Sequence, residues 1–160
     1  MPTLYVETTI PSYLVAKPSR DIVVLAHQQL TREWWDKSRH LYDMFISQVV
    51  LDEIREGDPE MIDKRMEILQ GIPLLETNDE VESLAERYFV GLQLPPKALR
   101  DAFHLAYVVA YRIDFLITWN CAHLANANIL YRLSRVNRNL GYETPMIYTP
   151  EELIEYPKEN

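Results

Sequence analysis

Four polar side chains, Glu7, Glu53, Asp101 and Asn120, have the types and the placement to do chemistry together. Glu7 and Asn120 each follow a short apolar run, Thr3–Val6 and Phe115–Ile117, that reads as a buried strand. Glu53 lies on a short helical segment behind another such run, and Asp101 lies early on the most apolar helical stretch. In open α/β sheets, ligands bind beyond the carboxyl ends of the strands. Three carboxylates and an amide facing one point repel one another without a cation. Oxygen-only donors favour Mg²⁺ or Mn²⁺ over zinc. Such an ion lowers the pKa of a bound water and stabilises charge on a phosphodiester oxygen, which is chemistry for cutting a nucleic-acid backbone. Each residue also has a plain structural role open to it. Glu7 suits a helix cap, Glu53 a solvated face, Asp101 the positive end of a helix and Asn120 a turn. Spacing alone does not bring them together.

The elements that must position them are legible as alternating strands and helices. A helix with Pro11 in its first turn follows the opening strand, and a longer one runs from Asp21 to about Arg39. Leu41 to Ser47 reads as a second strand, after which Ser47 caps a helix over Gln48 to Arg55. Pro59 opens another helix to about Gln70. Gly71 to Leu75 forms a third strand, placed near an edge by its proline. Asn78 or Asp79 caps the next helix, and Pro95-Pro96 opens a long, well-buried one to about Arg112. The Phe115 strand, a helix from near Asn126 to Gly141, a fifth strand at Pro145 to Tyr148 and a turn capped by Thr149 complete the order. This alternation predicts a mostly parallel sheet covered on both faces. Residues 1–150 read as one domain and 151–160 as a short helical turn and fraying tail.

Composition narrows the function classes. A chain of 160 residues is long enough for a sizeable core. A net charge of −8 argues against coating nucleic acid by general electrostatics, though not against a local basic rim around a metal-filled site. No apolar run is long enough to span a bilayer and no secretory signal is visible. The single cysteine, Cys121, excludes an internal disulfide and fits a reducing, cytoplasmic setting. With four glycines and no glycine-rich phosphate loop, a nucleotide-binding fingerprint is absent. Cys121 and His123 lack zinc spacing. His104, three residues after Asp101, reads first as a packed histidine and second as a neighbour of the site. Arg132, Arg135 and Arg138 recur every third residue and could touch a phosphate backbone or simply form a solvated face. Trp34-Trp35 reads as packing, with a dimer contact as the sharper alternative.

Four segments carry a family resemblance. Tyr5-Val6-Glu7-Thr8-Thr9, Ser47-Gln48-Val49-Val50-Leu51-Asp52-Glu53-Ile54, Asp101-Ala102-Phe103-His104-Leu105-Ala106 and Leu116-Ile117-Thr118-Trp119-Asn120 occur in that order. The pattern resembles the PIN domain, the fold of VapC-type toxins and related ribonucleases. It implies a three-layer α/β/α sandwich with a five-stranded parallel sheet and Mg²⁺- or Mn²⁺-dependent cleavage of RNA. By position it implies that Glu7, Glu53 and Asp101 bind metal, that Asn120 completes the cluster, and that Thr8 and Thr118 support it by hydrogen bonding. It further implies a homodimer and, for a toxin, a small antitoxin partner covering the acidic groove. The chain departs from the family at Glu7, where aspartate is usual, and its last position is a neutral Asn120. A non-catalytic PIN-like binding module is therefore the rival reading. A small-molecule α/β enzyme, which needs a deep apolar pocket, is a third.

Overall fold

The computed structural model describes residues 1–156. Its elements in chain order are β1 (Thr3–Val6), α1 (Thr9–Val15), α2 (Ile22–Lys37), β2 (Asp43–Ser47), α3 (Gln48–Arg55), α4 (Pro59–Leu69), β3 (Leu74–Leu75), α5 (Asp79–Gly91), α6 (Leu99–Ala110), β4 (Phe115–Ile117), α7 (Ala127–Leu140), β5 (Met146–Tyr148) and α8 (Pro150–Leu153). The five strands are all parallel, in the order β3-β2-β1-β4-β5. Helices lie on both faces, giving the expected three-layer α/β/α sandwich. One group forms where α1 touches α2 and α4, and α2 touches α8; in the other, α5 packs along α6 and α7.

The central strand explains why the sheet closes this way. Leu4, Tyr5 and Val6 are all fully buried, so β1 has no solvent face and must be covered on both sides. It pairs with β2 through Leu4↔Met44 and with β4 through Tyr5↔Leu116. The chain leaves β1 toward β2 and later returns on its other side with β4. The strand order therefore reverses between β1 and β4, the crevice where open α/β sheets accept ligands.

Several boundaries differ from the sequence reading for identifiable reasons. A 3₁₀ turn over Arg39–Leu41 delays β2 to Asp43. The third strand shrinks to Leu74–Leu75, because Gly71 turns at φ 83° and Pro73 donates no N–H; it does lie at the edge. Pro96–Ala98 form a 3₁₀ turn before α6, and α6 ends two residues early, with Arg112 in a left-handed conformation at φ 54°. Trp34 is sealed in the core and Trp35 nearly so, which removes the proposed dimer contact from Trp34. The helical turn at the end begins at Pro150 with the expected Thr149 capping box, and Leu153 and Ile154 are buried, so this segment belongs to the core. Residues 157–160, expected to fray, lie outside the described residues. Among the described residues no helix is long and apolar enough to cross a membrane.

Candidate active site

Glu7 continues β1 by one residue: its N–H donates to Ile117 O at 3.2 Å, beyond the last paired residues of the strand. The side chain is 3% exposed. Its Oε2 accepts from Thr9 N, Thr9 Oγ1 and, at 2.8 Å, Thr118 Oγ1. Thr118, just past β4, also accepts from Asn120 N at 2.9 Å. Asn120 Nδ2 donates to Asp101 Oδ1 at 3.1 Å, and Asn120 Oδ1 accepts from His123 N at 3.0 Å. Glu7, Thr118, Asn120 and Asp101 thus form one connected path from β1 across β4 to the first turn of α6.

Glu53, on α3, joins from the other side of β1. Thr8 Oγ1 donates to Glu53 Oε1 at 2.9 Å, and His104 Nε2 meets the same oxygen at 2.5 Å. Thr8 therefore touches Glu53, while Glu7 takes its hydroxyl from Thr9. All four residues singled out in the sequence, with Thr8 and Thr118, gather at the carboxyl ends of β1 and β4. The arginine row does not join them. Arg132 donates to Leu92 O, Arg135 sits over the Tyr131 ring and donates to its hydroxyl, and Arg138 is exposed in the last turn of α7.

Burial and mutual charge set the electrostatics. Burial pushes the Glu7 carboxyl above its ordinary pKa, with His104 and the Thr9 and Thr118 hydrogen bonds offsetting only part of the rise. Asp101 is raised by burial first; His104 opposes this and Glu53 adds to it. Glu53 is also pushed up by burial, yet its hydrogen bond to His104, the charge of His104 and the Thr8 bond bring it below its ordinary value. Burial lowers His104, but Glu53 more than reverses this, so the imidazole is held above its usual value. Cys121 is exposed, and its thiol is raised by burial and by Glu152, so nothing activates it as a nucleophile.

The candidate donors are all oxygens, the type that a hard divalent cation takes. One oxygen of each carboxylate, Glu7 Oε1, Glu53 Oε2 and Asp101 Oδ2, accepts no hydrogen bond among the described residues, and none of these atoms is sealed from solvent. Among the described residues no three acidic, histidine or cysteine side chains stand as a preformed metal cage. Each carboxylate is instead turned through its other oxygen onto protein donors. A groove of about 720 Å³ lies around Asp114, Phe115 and Met146 at the opposite end of the sheet, and none of the four residues lines it.

Sequence reasoning undervalued three residues here. His104 is fully buried and also touches the site, where packing had been the first reading. Ser47 precedes α3 as expected, but its hydroxyl bonds Tyr5 and not the helix. Tyr5 carried a usable signal: a phenol in the middle of a fully covered strand must find a polar partner. Neither a protein-family model nor a curated protein matches the chain.

Proposed function

We propose that the chain is a metal-dependent endoribonuclease of the PIN type, acting as the toxin of a type II toxin–antitoxin pair. The observation that carries this reading is the meeting of Glu7, Glu53, Asp101 and Asn120, from four separate segments, at the crevice where the strand order reverses. Glu7, Glu53 and Asp101 would hold Mg²⁺ or Mn²⁺ through their uncommitted oxygens, with Asn120 beside them. When bound, the ion supplies an acidified water and charge stabilisation at a phosphodiester. Thr9 and Thr118 fix Glu7, Asn120 fixes Asp101, and Thr8 fixes Glu53, so each ligand is oriented before substrate arrives. The Glu7 side chain, longer than the family's aspartate, is folded back onto Thr9. An RNA strand is the substrate, a small antitoxin covers the acidic groove, and the working form is a cytoplasmic homodimer.

The test is cleavage of single-stranded and structured RNA in Mn²⁺, compared between the wild type and Asp101→Asn. The variant should lose about 100-fold or more of the activity, and chelator should abolish it. Cleavage that persists in chelator overturns the metal mechanism. A second reading, a non-catalytic PIN-like module, draws on one observation: His104 already partners Glu53, so part of the acidic charge is answered from within the chain. Absence of Mn²⁺ binding at millimolar concentration would favour it.

A further inference from the structure

A second polar network runs behind the carboxylates, through the middle of the sheet. Tyr5, Ser47 and His104 are all fully buried. The Tyr5 hydroxyl shares hydrogen bonds with Ser47 Oγ and with His104 Nδ1, each at 2.7 Å. His104 Nε2 then meets Glu53 Oε1. The chain of contacts links the end of β2, the centre of β1, α6 and α3.

The direction of its last bond follows from chemistry. A carboxylate can only accept, so His104 Nε2 carries the proton. Nδ1 is thereby left to face the Tyr5 hydroxyl, which can adapt as donor or acceptor with Ser47 beyond it. A histidine serving only the core needs no carboxylate at its outer nitrogen. Glu53 receives two donors, His104 Nε2 and Thr8 Oγ1, on the same oxygen, and Oε2 stays open. This one-sided pinning is how supporting groups orient a metal-binding side chain.

We propose that Ser47, Tyr5 and His104 form a positioning relay that holds Glu53 by Oε1 and presents Oε2 to a divalent cation. The proposal rests on reading the carboxylate cluster as a metal site. None of the three relay residues touches substrate; they act through Glu53.

The test measures Mn²⁺ affinity by calorimetry for the wild type, Tyr5→Phe and His104→Gln, with thermal melting of each metal-free protein. Affinity should fall about tenfold in both variants. Side-chain ¹⁵N NMR adds a readout that a packing role would not move: His104 should carry its proton on Nε2 in the wild type, and Tyr5→Phe should shift the Nδ1 resonance. Variants that remain folded and bind Mn²⁺ with wild-type affinity overturn the relay and leave the metal site standing. A wild type that does not bind Mn²⁺ overturns the metal reading and the relay together. If His104→Gln does not fold, Tyr5→Phe and Ser47→Ala carry the same comparison.

Discussion

At the scale of single residues, Glu7 is held in a place that raises its carboxyl pKa, chiefly by burial. The folded chain therefore binds this proton more tightly than the unfolded chain does. Its contribution to stability is greatest at low pH and is lost as pH rises from the ordinary carboxyl range, about 4, through the raised value. Glu7→Gln keeps an oxygen for Thr9 and Thr118 but carries no charge. In metal-free protein the variant should be more stable than wild type at neutral pH by about 1 kcal/mol, a rise of roughly 2–4 °C in Tm. The advantage should shrink toward zero near pH 4. Melting curves across pH check this, and a variant equally or less stable at pH 7 contradicts it. On the proposed metal reading, activity should move the opposite way, because Glu7 Oε1 would be the oxygen offered to the cation.

At the scale of elements, the segment between β4 and α7 carries Asn120 and depends on one cap. Asn126 accepts from Asn128 N and Ile129 N, and its Nδ2 donates to Cys121 O at 3.0 Å. One side chain thus starts α7 and ties down the turn beside the site. Asn126→Ala should lose about 1 kcal/mol of stability. Amide exchange should speed up across residues 119–125 before it does in β1 or β4. Uniform exchange across the chain would contradict this coupling. Caps at Asn78 and the Thr149 box were legible in the sequence and act where the pattern put them, whereas near Asn126 the pattern marked a helix start. Strands buried on both faces were equally legible, because Leu4-Tyr5-Val6 and Phe115-Leu116-Ile117 are unbroken apolar runs. The 3₁₀ turn at Arg39 and the left-handed Arg112 were not, since no glycine or proline marks them, and Pro95-Pro96 signalled a helix start without telling a 3₁₀ turn from the first turn of α6. The candidate site was legible as four carboxylate and amide positions. His104 and Tyr5 as connectors were not, because Tyr5 lies 42 residues from Ser47 and 99 from His104, and His104 lies 51 from Glu53.

At the scale of the whole molecule, a chain of net charge −8 has little positive surface to offer a phosphate backbone. Arg132 and Arg135 are engaged within the protein, and Arg100 makes a two-point pair with Glu56 at 2.5 and 2.6 Å. RNA affinity should therefore depend weakly on salt. Each neutralised phosphate of single-stranded RNA contributes about −0.7 to the log–log slope, so a total magnitude of about 2 or less is expected in titrations at constant Mn²⁺. A steep slope would contradict this and point to exposed cations such as Arg138 as phosphate contacts. The three tryptophans give the molecule a further property. Trp34 and Trp35 lie together behind the sheet, their ring centres 6.2 Å apart, while Trp119 directly precedes Asn120 and stacks on His27 at 4.0 Å. All three rings are buried, and Trp119 is the one that adjoins a residue of the candidate site. On the proposed reading, a cation or RNA arriving at Asn120 should change the Trp119 emission, a signal that needs no added label.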